Sequence, residues 1–412
     1  MRSTFQLSLA LLAAVPTWSS AQPAATGAEK SDFLRAIVNA PALNAALRRT
    51  DAARERVGAA GRLADVEVEG MGSRMVGPMD ERATMWEVNV RQPLPKRGER
   101  AADRDRARAG VSMAEADYAL MAGEMAADTA MALAEAAGAQ ARVRLLETQI
   151  GRLDAVLRTV DTRIASGSGR LADRLTVQTR RASMQLMIEE EQRMAADALA
   201  EAQGRLGLKP DAPLPTFAAP LPAEIKVSDA AALRLAAARA DEANAMVKMA
   251  RASANPMTAV GVRFEQERRA MGDENTLGLA FMTEIPWRSR RYARSDVKAA
   301  EADRAAAEAD AAAARYRIAA AVTRVTRAER LAATARRLSQ ETLSRLTAEF
   351  DAMVRSAGVG GMNQTSTVLE TVELLEKATD TELQVIRADT AVSTARAELW
   401  RYVSATDFPS AN

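Results

Sequence analysis

Apolar residues follow two different periods along this chain. In most of it they recur at spacings of three and four, as in the stretch Leu145, Leu146, Ile150, Leu153, Leu157, Val160 and Ile164. Such spacing places apolar side chains along one stripe of a helix, where neighbouring helices cover them. Four short segments instead alternate between apolar and polar residues, which indicates β-strands with one apolar face. The pattern predicts a mainly α-helical protein with a small β part.

The alternating segments form two pairs. Their apolar positions are Val66, Val68 and Gly70, then Trp86, Val88 and Val90, and in the second pair Val260, Val262 and Phe264, then Leu277, Leu279 and Phe281. Charged or small residues lie between these positions. Strands of this kind suit a membrane barrel with a lipid-facing exterior and a wet lumen. A soluble antiparallel sheet with one wet face gives the same pattern, so both interpretations remain open at this point.

Two tryptophans and the number of strands bear on the membrane interpretation. Trp86 and Trp287 lie near segment ends, where aromatic residues anchor at a bilayer interface, and both are candidate membrane-interface residues. Bacterial single-chain barrels begin at about eight strands, so four strands cannot close a barrel alone. Because strand edges in lipid must be paired, a membrane location would require several copies of the chain.

The chain contains an internal repeat. Residues 88–95 end in a proline and precede a basic stretch, and so does the similar segment 279–286. The final prolines of the two segments are 191 positions apart, and the same offset takes Ser166 and Gly167 onto Ala357 and Gly358. Two correspondences at one offset indicate a duplicated unit.

Each unit is predicted to contain a helix, two strands, a very long helix, a glycine break and another long helix. Residues 98–166 include no proline and consist mostly of good helix formers. At 1.5 Å per residue, such a helix would be about 100 Å long and would need other helices beside it. The predicted organisation is a signal peptide at 1–21, a first repeat at 22–208, a proline-rich linker at 209–228, a second repeat at 229–404 and a tail at 405–412.

The first residues have the features of an export signal. Arg2 supplies positive charge, residues 7–15 an apolar stretch, and residues 19–21 a small-residue cleavage site. No later stretch reaches the ~20 apolar residues that a membrane-spanning helix needs. The mature chain is therefore expected in the periplasm, in the medium or, through its strands, in the outer membrane.

Composition restricts the chemistry. The chain contains no His and no Cys, which excludes Ser-His-Asp catalysis and the usual zinc ligands. No catalytic, cofactor-binding or metal site is predicted, and the protein is not expected to be an enzyme. The 56 Lys and Arg nearly balance the 54 Asp and Glu, so no nucleic-acid footprint is indicated.

Three features give the sequence a resemblance to the TolC-like outer-membrane efflux family. Residues 39–46 resemble the family's Asn-Pro-x-Leu-x-Ala-Ala opening, with one residue inserted before the proline. Residues 92–100 resemble the strand-to-helix corner of each family repeat. Gly167 and Gly358 fall where the family places its periplasmic tip turns. The resemblance covers nearly the whole mature chain.

The resemblance implies a homotrimer in which three copies build a 12-stranded outer-membrane β-barrel and an α-helical periplasmic tunnel. The protein would be a passive exit duct of a tripartite efflux system. Its helical tips would meet a periplasmic adaptor protein, which links the duct to an inner-membrane efflux pump. The pump would supply the energy, since the sequence has no Gly-x-x-x-x-Gly-Lys-Ser/Thr loop.

The resemblance also implies roles for residues at the tip. The family narrows its entrance with acidic residues on the helix after the second tip turn. Glu370 matches the second acidic position and Thr367 replaces the first, so Glu370 and Glu373 are candidate periplasmic gate residues. A ring of three carboxylates in a narrow pore favours cations, although both are also ordinary residues for a solvated helix. Gly167 and Gly358 are candidate adaptor-contact tip turns.

A methionine cluster and two other functions remain open. Met71, Met75, Met79 and Met85 crowd the predicted connection of the first two strands, and thioethers are soft ligands for Cu(I), although Met is also a common packing filler. One alternative is a periplasmic adaptor, or membrane fusion, protein. Such a protein normally has one helical hairpin beside compact β domains, and the duplicated strand pairs of this chain differ from that arrangement. A secreted coiled-coil structural protein would not need aromatic residues on alternating segments.

Overall fold

The computed structural model describes residues 27–76, 82–209, 212, 214, 229–269, 272–284, 289–357 and 367–403. The elements of the first half are α1 (Gly27–Val38), α2 (Pro41–Ala59), β1 (Glu67–Val76), β2 (Arg82–Leu94), α3 (Glu99–Ala165) and α4 (Leu171–Leu206). Those of the second half are α5 (Ala231–Ser253), β3 (Met257–Arg269), β4 (Gly272–Glu284), α6 (Ser289–Ala357), α7 (Thr367–Glu398) and a 3-10 helix (Leu399–Tyr402). The predicted fold class, mainly helical with four strands, is confirmed.

The two longest helices have the predicted length and position. α3 contains 67 residues and α6 contains 69. Gly98 and Gly167 flank α3 and have φ angles of 86° and 76°. This left-handed conformation cannot continue an α-helix and suits glycine, which has no Cβ. The helix therefore begins and ends at glycines that the sequence places on either side of a proline-free run.

The four strands form one antiparallel sheet in the order β1-β2-β3-β4. The central pairing joins β2 of the first half of the chain to β3 of the second half, over eleven residue pairs from Thr84–Arg268 to Leu94–Thr258. The first strand begins at Glu67, so Val66, which the alternation included, lies just before the sheet.

The chain divides into two compact units, and each draws on both halves of the sequence. A helical unit comprises Met1–Asn44, Leu120–Val227 and Arg317–Asn412. A sheet unit comprises Ala45–Ala119 and Ser228–Tyr316. The division therefore does not follow the sequence repeats.

The core of the helical unit lies between α3, α4 and α7. Its buried members are Leu153, Val160, Val177, Met184, Val368, Val372 and Leu375. Ile150, Leu157 and Ile164 from the predicted apolar stripe of α3 pack against it. At another place in the same unit, α1 contacts the C-terminal 3-10 helix, where the fully buried rings of Phe33 and Trp400 are 5.7 Å apart.

The helices of the sheet unit pack through alanines. On α3 the buried alanines recur every seven residues, at Ala102, Ala109 and Ala116. On α6 they do the same at Ala293, Ala300 and Ala307. Each member of the second series lies 191 positions after its counterpart, which is the offset of the sequence repeat. Small side chains at heptad spacing let neighbouring helices approach closely, so the duplication is visible in the packing as well as in the sequence.

Candidate functional site

Cross-strand register aligns the predicted apolar positions into rows across the whole sheet. One row consists of Val68, Val90, Val262 and Leu279, and the next of Gly70, Val88, Phe264 and Leu277. Direct cross-strand partners project to the same side of a sheet, so these rows form one continuous apolar face. The face is exposed on all four strands, and most strongly at Leu279, which is 93% accessible.

This face becomes polar toward the end of the sheet that is near the β1–β2 and β3–β4 connections. The row after Gly70 consists of Gly72, Trp86, Gln266 and Asn275, and a later row of Arg74, Thr84, Arg268 and Asp273. Trp86 therefore lies at the boundary between apolar and polar rows. Its exposed indole lies over Gly72, where a Cβ atom would come within 3.1 Å of the ring. Trp287, the other candidate interface aromatic, lies outside the described residues.

The opposite face of the sheet is charged and cross-linked by ion pairs. Arg91 Nη2 contacts Glu69 Oε2 at 2.9 Å and Glu67 Oε2 at 3.7 Å. Arg263 Nη2 contacts Glu87 Oε2 at 2.9 Å and Glu265 Oε2 at 3.2 Å. Two arginines thus serve four glutamates, which leaves these clusters with net negative charge. This face is built for water, whereas the other is built for an apolar environment.

A compact turn joins α3 to α4. The Arg163 carbonyl accepts hydrogen bonds from the backbone N–H groups of Ser168 and Gly169, both at 2.9 Å, and the Gly167 N–H donates to the Ile164 carbonyl. Gly167 adopts the left-handed conformation that ends α3. At Gly169 a Cβ atom would lie 2.7 Å from the Ile164 nitrogen. Both glycines are therefore required by the geometry of the turn.

Two exposed leucines follow this turn on α4. Leu171 is 71% accessible and Leu175, one helical turn later, is 65% accessible. Neither position was singled out from the sequence, although a pair of leucines four residues apart just after the tip glycine is a recognisable signal. Gly358, the counterpart of Gly167, lies outside the described residues.

The candidate gate residues are on the first turns of α7. Glu370 and Glu373 are exposed and project from the side of α7 opposite to Val368, Val372 and Leu375. Neither forms an ion pair with another described residue. Glu370 lies in the first helical turn, where a carboxylate also interacts favourably with the helix dipole.

Ion pairs join the helices at this end of the helical unit. Arg180 Nη1 on α4 contacts Glu376 Oε1 on α7 at 2.9 Å. Arg181 Nε on α4 contacts Asp154 Oδ1 on α3 at 2.7 Å. The helix that bears Glu370 and Glu373 is thus held to α4, which begins at the Gly167 turn. Sequence reasoning missed these pairs because they join residues far apart in the chain.

A half-buried carboxyl lies further along α7. Burial raises the pKa of Glu382, while the nearby Arg152 guanidinium and the Gln149 side chain act in the opposite direction. Gln149 is itself 1% accessible. The contact between α3 and α7 therefore includes a group whose charge depends on pH.

Two further kinds of feature are relevant to the described residues: helices that could cross a membrane and clusters of metal-binding side chains. None of the helices there is long and apolar enough to cross a membrane. The described residues contain no group of three or more His, Cys, Asp or Glu side chains that could hold a metal ion.

The chain resembles known proteins in sequence over part of its length and in fold over most of it. Residues 34–207 match the family described as outer membrane efflux protein. No curated protein matches the sequence. Solved structures share the fold over most of this chain and of their own, and three of them are described below.

The outer membrane protein VceC of Vibrio cholerae has a TM-score of 0.73 at 14% identity, over 92% of this chain and 96% of its own. A membrane protein from Pseudomonas aeruginosa has a TM-score of 0.69 at 18% identity, over 91% and 93%. The MtrE outer membrane channel of Neisseria gonorrhoeae, in its open state, has a TM-score of 0.64 at 14% identity, over 91% and 88%. At these identities the likeness is one of fold, whereas the match of residues 34–207 is one of sequence. Residues 34–207 of the chain are thus similar in sequence to the outer membrane efflux protein family, and most of the chain shares the fold of outer-membrane channels.

Proposed function

We propose that three copies of this chain assemble through their sheets into the exit duct of a tripartite efflux system. The protein is an outer-membrane efflux channel of a Gram-negative bacterium, with a periplasmic helical part. It carries substrates that an inner-membrane pump delivers through a periplasmic adaptor. The observation that carries this proposal is the sheet, which exposes an apolar face on one side and ion-paired charges on the other.

The apolar face supports a place in lipid. Exposed apolar area costs roughly 25 cal/mol per Å² in water, and this face extends over four strands of 10 to 13 residues. Strands of 9–11 residues suffice to cross a bilayer when tilted. A chain of this kind gains from inserting the sheet into a membrane with its charged face turned toward a wet lumen.

The sheet edges support association of copies. Within the described sheet, β1 and β4 each have one neighbour. Unpaired backbone groups in hydrocarbon cost several kcal/mol each, so an open edge is not tolerated there. If β4 of one copy pairs with β1 of the next, the antiparallel order continues around a ring. Three copies then supply the 12 strands that the family resemblance implies.

The turn between α3 and α4 supports contact with an adaptor. Leu171 and Leu175 expose apolar surface directly beside this compact turn, and both side chains are mostly uncovered by the described chain. A helical adaptor tip that buries these leucines and approaches the small residues around Gly167 would gain apolar contacts. Glu370 and Glu373, exposed on the first turns of α7, would form the acidic ring of a gate.

Cross-linking tests the ring directly, because the chain has no cysteine of its own. Val68→Cys on β1 is combined in turn with Leu277→Cys, Leu279→Cys or Phe281→Cys on β4, and membranes are treated with a short bismaleimide. At least one combination should give a ladder of covalent species that ends at three chains, while each single variant stays monomeric. Absence of a ladder in every combination, or a ladder beyond three, contradicts the proposal.

The gate is tested by conductance. Glu370→Gln should lower the preference of the reconstituted channel for cations, because each copy loses one negative charge at the constriction. Glu189→Gln, an exposed glutamate on α4, is the matched control. Equal cation preference in Glu370→Gln and wild type would remove Glu370 from the gate and leave the duct itself unaffected.

A further inference from the structure

Methionines have an unusual distribution on the sheet. Among the described side chains, every large apolar residue on the charged face is a methionine, namely Met71, Met85, Met257 and Met282. The apolar face contains Val, Leu, Phe and Trp but no methionine. Met71 is 58% accessible and Met282 is 45% accessible. Methionine used as filler belongs in packed interiors, so its placement on a wet face needs another reason.

The four methionines form two pairs with the same geometry. Met85 lies opposite Ser73, two residues along β1 from Met71. Met282 lies opposite Ala259, two residues along β3 from Met257. The two methionines within each pair are therefore diagonal neighbours on adjacent strands. Residues in this relation are about 7–8 Å apart, a separation that long side chains can span. The first pair is near the β1–β2 connection and the second at the opposite end of the sheet, where β3 begins.

The chemistry of the pairs favours soft cations. Thioether sulfur selects Cu(I)-like ions, whereas hard cations prefer oxygen ligands. The sulfur of Met282 accepts a contact from Arg91 Nη1 at 3.8 Å, so this sulfur lies on the charged side of the sheet. The glutamate-rich ion-pair clusters on the same face raise the local concentration of cations.

We propose that the Met71–Met85 and Met257–Met282 pairs each bind one soft monovalent cation, Cu(I) or Ag(I), and so form two stations along the charged face. The cargo role of these stations rests on the proposed duct function, because only in a duct does this face line a route out of the cell. Binding itself does not depend on that function.

Binding is tested on the full chain in detergent with Ag(I), which does not change oxidation state. Equilibrium dialysis followed by elemental analysis should find one equivalent of Ag(I) for each methionine pair. Met71→Leu/Met85→Leu should lose one of the two equivalents, and Met257→Leu/Met282→Leu the other. Leucine is close to methionine in volume, so the fold should persist. Met246→Leu, which removes an exposed thioether of α5, is the control and should bind as the wild type does.

The outcomes separate the two proposals. Wild-type stoichiometry in either pair variant, or displacement of Ag(I) by excess Na⁺ or Mg²⁺, would overturn the thioether sites. The same samples are examined by native mass spectrometry. A trimer that binds no Ag(I) contradicts the methionine stations and leaves the duct intact, whereas a monomer that binds Ag(I) contradicts the duct and leaves the sites intact.

Discussion

At the scale of single residues, replacing glycine by alanine should affect stability in opposite directions at two positions. One lies within α3 and the other in the turn that ends it. Gly167 has a φ of 76°, where a Cβ costs about 1–2 kcal/mol. Gly151 lies within α3 with open space where a Cβ would be, and Ala exceeds Gly in helix propensity by about 1 kcal/mol. Gly167→Ala should therefore lower the midpoint of urea unfolding, and Gly151→Ala should raise it. A lowered midpoint in both variants would contradict the described turn.

Two glycines of β1 test the position of Trp86. A Cβ at Gly72 would lie 3.1 Å from the Trp86 ring, whereas at Gly70 it would meet nothing within 4 Å. Gly72→Ala should therefore move the indole. In protein labelled with 5-fluorotryptophan, Gly72→Ala should shift the fluorine resonance that Trp86→Phe removes, and Gly70→Ala should leave it in place. An unshifted resonance in Gly72→Ala would mean that the indole does not lie over this glycine.

At the scale of elements, two of the ion pairs formed by α4 differ in burial. Glu191 pairs with Arg142 at 2.8 Å, and both side chains are 12% accessible. Asp197 pairs with Arg193 at 3.1 Å, and both are about two-thirds accessible or more. Breaking a buried pair costs about 3–5 kcal/mol, because it leaves a buried charge unpaired, and breaking an exposed pair costs under ~1 kcal/mol.

Glu191→Ala should therefore destabilise the protein much more than Asp197→Ala, as measured by urea unfolding. Because Glu191 is not completely buried, we expect its effect at the lower end of that range, about 3 kcal/mol. Equal effects of the two substitutions would show that the α3–α4 contact at Arg142 is solvated.

The contact of α7 with α3 should make stability depend on pH. The pKa of Glu382 in the folded chain lies above its ordinary value of 4.5 because of burial. Between the ordinary and the raised pKa the folded chain binds a proton that the unfolded chain has released. Stability therefore falls as pH rises through this window and stays lower above it.

Glu382→Gln should remove this decline, so that the variant melts at a higher temperature than wild type at pH 7.5 and at a similar temperature near pH 4.5. Asp380→Asn, an exposed carboxylate two residues earlier on α7, should leave the pH dependence unchanged. A wild-type melting temperature that does not fall between pH 4.5 and 7.5 relative to Glu382→Gln would contradict the burial of this carboxyl.

Local patterns predicted the elements well because their causes are local. The ends of α3 follow from glycines at either side of a proline-free run, and the faces of β2 follow from strict alternation around Val88 and Val90. Contacts between distant segments were not predictable. The pairing of β2 with β3, the Arg180–Glu376 ion pair and the contact of Phe33 with Trp400 each depend on how the chain returns on itself. Periodicity carries no information on that.

The register of the sheet explains a further difference between sequence and structure. From the sequence, Met71 and Met85 belonged to one cluster with Met75 and Met79 at a strand connection. The structure places Met71 and Met85 on the charged face and adds Met257 and Met282 from a different pair of strands. Such pairing depends on the register of the strands. Alternation in the sequence tells which face of the sheet a residue occupies, but not which residue lies opposite it on the next strand. The side chain of Met75 and the whole of Met79 lie outside the described part.

At the scale of the whole molecule, the proposed duct requires that other copies complete the sheet. An exposed apolar face and two edge strands are costly for an isolated chain in water and are resolved together in a closed ring in lipid.

The most direct measurement is native mass spectrometry of the complex extracted from outer membranes with detergent, before and after heating. We expect a species of three chains that heating converts to single chains. Recovery of the protein from the periplasmic fraction as a soluble monomer or dimer would contradict this expectation.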